Sequence, residues 1–98
     1  MSDLNVVAVL KAKPGSEDAL QAALGSLVGA TREEDGCLAY ELFASAAEPG
    51  TFVTVEKWRS QADLDAHLQT EHVAAALAAG ADLFGAAPAI HPLQAIDA

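Results

Sequence analysis

Short segments rich in β-branched and aromatic residues alternate along the chain with longer segments whose leucines recur at helical spacing. The first pattern is typical of β-strands and the second of amphipathic helices. Four strands are predicted, over residues 4–12, 37–45, 51–59 and 87–96. Pro88 and Pro92 lack a backbone N–H, so we expect the last strand at a sheet edge or at a bulge.

Two helices are predicted between these strands. The first begins with Ser16 as N-cap and ends near Arg32. The second begins at a capping box in which Ser60 is the N-cap and Asp63 takes the place of the usual Glu, and it runs to about residue 79. Thr70 is also able to cap a new start, so a break within this second helix stays open.

The resulting order, βαββαβ, predicts a single α+β domain over residues 1–98. Two helices of this kind lie on one face of a four-stranded antiparallel sheet, which is the ferredoxin-like arrangement. No internal repeat or linker divides the chain, and its length fits one domain.

Apolar residues are predicted on both faces of the sheet, because side chains alternate along a strand. In the first strand Leu4, Val6, Ala8, Leu10 and Ala12 point one way and Val7 and Val9 the other. In the second, Leu38, Tyr40, Leu42 and Ala44 oppose Cys37, Ala39 and Phe43, and in the third, Phe52 and Trp58 oppose Val53 and Val55. The helices can cover only one of the two faces. We therefore expect a homodimer packed sheet to sheet about a two-fold axis, with a hollow between the copies.

Composition narrows the possible partners. Of the 98 residues 52% are apolar, and 5 basic against 14 acidic residues give a net charge of −9. Such a charge disfavours nucleic acid and anionic membranes as partners. With one cysteine, no targeting segment and no long apolar run, we expect a soluble cytoplasmic protein. Phosphate-binding glycine motifs, CxxC and GxSxG are absent from the sequence.

Glu56 and Trp58 form the first candidate for chemistry, because a carboxylate beside a tryptophan on a largely apolar strand face is unusual. In the structural alternative, Glu56 pairs with Lys57, Arg59 or a backbone amide, and Trp58 belongs to the core. In the functional one, both line a cavity, with Trp58 as a wall for a flat ring and Glu56 as an acceptor for a ligand or a histidine.

Three histidines form the second candidate. His67 and His72 are five residues apart, which on a continuous helix rotates them by about 140°, so no shared metal site is predicted unless the helix breaks. Asp63 and Glu71 each lie four residues from His67, and either carboxylate could set its tautomer. His91 lies alone on the last strand.

Four segments together resemble the antibiotic biosynthesis monooxygenase family of dimeric α+β barrels, and most closely its small quinol monooxygenases. They are the turn at 13–15, the string EEDGCLAYE at 33–41, the string FVTVEKW at 52–58, and the string LDAHLQTEH at 64–72. Relatives often carry a proline just before the second histidine, where this chain has Glu71. The haem-degrading branch is disfavoured, because members of that branch use an Asn on strand one and a haem-ligating His on helix two, and these positions correspond here to Ala8 and Leu77.

The resemblance implies oxygenation of a hydroquinone or polycyclic phenol by O2 without metal, flavin or haem. It implies His67 as base, since an imidazole with an ordinary pKa of about 6.5 suits proton abstraction. The second catalytic residue is Glu56, which with Tyr40 is a hydrogen-bonding partner. Trp58, Tyr40, Phe52 and His72 are the expected substrate-binding residues. A small-metabolite isomerase and a non-catalytic binding or stress-response module remain alternatives on the same scaffold.

Overall fold

The computed structural model describes residues 3–96. The elements are β1 (Leu4–Lys11), α1 (Glu17–Arg32), β2 (Cys37–Ala44), β3 (Thr51–Trp58), α2 (Gln61–His67), α3 (Glu71–Gly80) and β4 (Ala89–Leu93). The strands form one sheet in the order β2-β3-β1-β4, and every neighbouring pair is antiparallel. The α+β, ferredoxin-like prediction is confirmed, with three helices where two were expected.

The last strand is shorter than predicted, five residues in place of the expected ten, and it lies at the sheet edge as its prolines require. It pairs with β1 from Ala89 to Leu93, and Pro92 lies opposite Val6.

The second predicted helix is broken, and the break has a local cause. Thr70 has an extended backbone, and its side chain accepts a hydrogen bond from the backbone N–H of Val73. A side-chain cap of this kind satisfies a donor at the start of a new helix. α2 therefore ends at His67 and α3 begins at Glu71, although the residue directly before His72 is a glutamate and not a proline.

Strand β2 contains a bulge that corrects one of the predicted faces. Cys37 lies opposite Trp58 and Ala39 lies opposite Lys57, so the pairing register shifts by one residue between them. Cys37 consequently packs into the core beside Trp58, whereas Leu38 is 50% exposed. Strict alternation had placed these two side chains on the opposite faces.

The helices cover one face of the sheet, where the core forms two adjoining clusters. One contains Ala8, Leu10, Leu20, Leu24 and Phe52, and the other contains Val6, Tyr40, Trp58 and Leu64. On the uncovered face Val53 lies between Val9 and Phe43, and Val55 lies beside Val7. Phe43 and Val55 are 53% and 46% exposed, so the face is apolar as predicted. No helix within residues 3–96 has both the length and the apolar character needed to cross a bilayer.

Candidate functional site

A mostly apolar cavity lies between the helices and the covered face of the sheet, within a single chain. Its apolar lining consists of Ala8, Leu10, Leu24, Leu27, Leu64, Leu68, Val73, Ala76, Leu77, Phe84, Pro88 and Ile90, and its polar lining of Tyr40, Thr54, Glu56 and His67. The predicted site residues that line a cavity thus face the helices. They do not face the uncovered side of the sheet, where a hollow between two copies was expected.

The cavity is small and partly open to solvent. Its volume is about 70 Å³. Leu77 and Ile90 line this space and are 47% and 43% exposed, so they mark its opening to solvent. A cavity of that size is smaller than the roughly 150 Å³ of an apolar cavity that binds benzene.

Behind the cavity, two histidines meet at one carboxylate. Glu34 Oε2 is 2.6 Å from His67 Nδ1 and 2.9 Å from His72 Nε2. Glu34 lies in the turn between α1 and β2, and the break between α2 and α3 brings the two histidines to the same point. On a continuous helix, His67 and His72 would point about 140° apart. The break capped by Thr70 lets them point to the same carboxylate.

The carboxylate fixes how both imidazoles carry their protons. A carboxylate only accepts hydrogen bonds, so His67 donates through Nδ1–H and His72 donates through Nε2–H. In the neutral imidazole of His67 the lone pair is then on Nε2, the nitrogen that is not bonded to Glu34. The side chain of His67 is only 5% exposed, so Glu34 gives a buried ring one defined tautomer.

Glu56 is buried beneath the cavity, and its two oxygens have separate partners. Thr54 donates its hydroxyl to Oε2 at 2.5 Å, and Trp58 donates its indole N–H to Oε1 at 2.8 Å. A buried carboxylate needs such donors to offset its lost hydration. The structural alternative is therefore half right. Glu56 accepts from Thr54 and Trp58 in place of Lys57 or Arg59, and Arg59 donates to Asp63, whereas Trp58 belongs to the core as that alternative expected.

Trp58 and Phe52 are not part of the cavity lining. The Trp58 indole is fully buried and lies against the His67 ring, with centroids 4.7 Å apart and planes tilted by 39°. It therefore supports His67 from behind and does not offer a wall to a ligand. Phe52 is buried in the neighbouring core cluster, packed with Leu20 and Leu24.

Tyr40 lines the cavity, with its ring centroid 6.0 Å from that of His67. Burial, reinforced by the negative charge of Glu56, raises the pKa of the Tyr40 phenol well above its ordinary value. The hydroxyl therefore keeps its proton at neutral pH and is able to donate a hydrogen bond into the cavity.

Carboxylates on the helix of His67 had been predicted to orient it, and this prediction is wrong. Asp63 accepts hydrogen bonds from Arg59 and from the Ser60 hydroxyl, and it forms the capping box of α2. The orienting residue is Glu34, 33 positions away in the sequence. Glu34 belongs to the string EEDGCLAYE at 33–41, which resembles the family, but the sequence assigned no function to this residue. His91 lies opposite Val7 on the uncovered sheet face, away from the cavity.

The sequence matches the family described as "Antibiotic biosynthesis monooxygenase" over residues 4–79. It is 32% identical to "Probable quinol monooxygenase YgiN" of Escherichia coli, over 74% of this chain and 79% of that protein. The structure resembles PA3566 from Pseudomonas aeruginosa, with a TM-score of 0.91 and 31% identity over 99% and 97% of the two chains. It also resembles Rv0793 from Mycobacterium tuberculosis, with a TM-score of 0.88 and 33% identity over 99% and 98%.

Proposed function

The chain belongs to the antibiotic biosynthesis monooxygenase family, and from that premise we propose that it oxidises a hydroquinone or polycyclic phenol with O2, without a cofactor. The observation that carries the proposal is the environment of the His67 side chain. A buried imidazole lines an apolar cavity, and a carboxylate at 2.6 Å holds its other nitrogen. Such a pair is suited to removing a proton from a bound phenol.

Proton removal would start the reaction. His67 Nε2 takes a proton from the phenol, and the resulting anion is electron-rich enough to pass an electron to O2. The substrate supplies all the electrons, so one oxygen atom enters the product and the other leaves as water. For a naphthohydroquinone the balance is quinol plus O2 giving hydroxyquinone plus water. Glu34 stabilises the imidazolium that forms, as a carboxylate hydrogen-bonded to a catalytic histidine does.

Two of the three remaining polar groups suit a ring with two hydroxyls. Tyr40 donates to the oxygen that becomes negative, and Glu56 keeps lone pairs able to accept from a second hydroxyl. Because the cavity volume is about 70 Å³, the ring would also occupy the mouth between Leu77 and Ile90. Its polar edge would point inward and its apolar edge outward.

Oxygen uptake by the purified protein tests the proposal. We expect consumption of O2 above background with at least one member of a panel of hydroquinones and anthrones. Loss of a general base lowers the rate by about 10²–10⁴-fold, so the rate of oxygen uptake should fall by that factor in His67→Asn. His91→Asn, on the uncovered face, should retain the wild-type rate. No uptake with any substrate, or an unchanged rate in His67→Asn, would overturn the proposal.

The small volume of the cavity favours a second candidate, a non-catalytic binding module. Such a module would bind aromatic compounds, with His67→Asn weakening binding, yet consume no O2. An isomerase on the same scaffold would be distinguished by turnover that persists in strictly anaerobic buffer.

We also propose that two copies pack through the uncovered sheet face. The supporting observation is a continuous apolar patch formed by Val7, Val9, Val53, Val55 and Phe43, of which the last two are about half exposed. Exposed patches of this kind mark interfaces between chains.

Sedimentation equilibrium tests the packing of two copies. Val55→Lys puts a charge within the patch and should yield monomer at concentrations where the wild type is dimeric. Ala74→Lys adds the same charge on an exposed position of α3 and should leave the dimer intact. A wild type that is monomeric at every concentration would contradict the packing.

A further inference from the structure

We propose that Glu34, His67 and His72 bind one divalent transition-metal ion of the zinc class. Each side chain offers one ligand atom, and the three atoms all lie within 4.8 Å of one another. Two imidazole nitrogens and one carboxylate oxygen form a common donor set of zinc sites that keep a fourth position open. The three donors lie together whether or not the proposed oxygenation takes place.

The donor chemistry selects the class of ion. Imidazole nitrogen suits Zn²⁺, Co²⁺, Ni²⁺ and Cu²⁺, whereas Mg²⁺ and Ca²⁺ prefer six or more oxygen ligands. Only one of the three donors here is an oxygen, and the two histidines face it from different helices. The arrangement therefore favours Zn²⁺ and Co²⁺ over the alkaline-earth ions.

The distances allow an ion once all three donors adjust. Zinc–ligand bonds of about 2.0–2.1 Å in a tetrahedral site hold the donors about 3.3 Å apart. The two imidazole nitrogens lie within 4.8 Å of each other, so they must approach by up to about 1.5 Å. Glu34 Oε2 is 2.6 and 2.9 Å from these nitrogens, so the carboxylate must withdraw by about half an ångström. Its position in a turn, with the side chain 16% exposed, makes that movement possible.

Access for the ion comes from the side of His72. Its side chain is 27% exposed, whereas that of His67 is 5% exposed and is held against Trp58. One ligand is thus fixed in the core, and two are near solvent. When the metal binds to Nδ1 of His67, the proton of the neutral ring moves from Nδ1 to Nε2. If the proposed function holds, a loaded site would remove the base, and added metal would inhibit turnover.

Metal binding can be measured without any activity. The full-length protein would be titrated with ZnCl2 by calorimetry after treatment with chelator, and with CoCl2 by visible absorption, which reports tetrahedral coordination directly. The variants are His72→Ala, which removes a partly exposed ligand, and Glu34→Gln, which removes the anionic one. His91→Ala is the matched control, because it deletes an exposed imidazole outside the cluster.

We expect one equivalent of Zn²⁺ and a tetrahedral Co²⁺ spectrum for the wild type and for His91→Ala. Altering a residue that merely orients a ligand weakens metal binding by about 10–100-fold, so loss of a ligand itself should weaken it at least as much in His72→Ala and Glu34→Gln. Absence of both signals in the wild type would overturn the site. Equal affinity in the wild type and in His72→Ala would also overturn it, and would assign the ion to acidic surface groups.

Discussion

Replacing Glu34 by glutamine tests the contact on which the site depends. The carboxylate accepts from two imidazole N–H groups, at 2.6 and 2.9 Å. A hydrogen bond to a charged group contributes about 1.5–3 kcal/mol and a neutral one about 0.5–1.5 kcal/mol. Glu34→Gln keeps the shape and removes the charge, so it should cost about 1 kcal/mol for each bond, or about 2 kcal/mol in total.

Urea unfolding monitored by the fluorescence of Trp58 measures this loss. The chain has one tryptophan, and its ring is fully buried against His67, so the signal comes from the site itself. In thermal unfolding the same change corresponds to a fall of roughly 10 °C for a domain of this size. All samples must be compared at one chain concentration, because association shifts apparent stability.

The neighbouring residue provides the control for this experiment. Glu33→Gln makes the same chemical change at an exposed position one residue earlier, and its effect should stay within about 0.5 kcal/mol. If Glu34→Gln were as stable as Glu33→Gln, the contact between Glu34 and the two histidines would not exist in solution. Both the tautomer argument and the metal site would then be lost.

Three further predictions concern other parts of the structure. Gly36→Ala should destabilise the protein by about 1–3 kcal/mol in thermal unfolding, because the new methyl group would overlap the Asp63 side chain, whereas Gly29→Ala on the open surface of α1 should stabilise it by about 0.5–1 kcal/mol; equal effects would refute the overlap. Tyr40 is the single tyrosine, and its raised pKa means that its phenol should not ionise near pH 10 in the folded protein. Because the pKa of Tyr40 is higher in the folded than in the unfolded chain, its contribution to the free energy of unfolding is complete below the unfolded pKa of about 10 and declines as the pH rises above that value. A rise in absorbance at 295 nm centred on pH 10 while the fold persists would contradict this. Thr70→Ala removes the cap of α3 and should cost about 1 kcal/mol, which Thr70→Ser should largely recover; equal stability of the two variants would argue against the cap.

The fold was predictable from sequence because each element carried its own local signal. Strand periodicity, the Ser60 capping box and the prolines of the last strand all act over a few residues, and all were confirmed. The bulge at Leu38 was not predictable, because a shift in pairing register depends on the partner strand and leaves the alternation of the sequence unchanged.

The candidate site was predictable only in part. His67, Glu56 and Tyr40 line the cavity, and their strand or helix position sufficed to nominate them. Glu34 was missed because its role comes from a contact across 33 positions, which no helical or strand spacing encodes. The prediction that Trp58 forms a wall of the ligand cavity was wrong for a related reason, since strand alternation gives the face on which a side chain lies but not how deeply it is buried.

Reaction under ¹⁸O2 in ordinary water tests the central claim most directly, with the product of an accepted hydroquinone analysed by mass spectrometry. We predict one labelled oxygen atom in each product molecule, formed by the wild type and by His91→Asn at equal rates and by His67→Asn at a rate lower by the factor expected for a lost base. A product that carries no label, or one that forms equally fast without His67, would contradict oxygenation in this cavity.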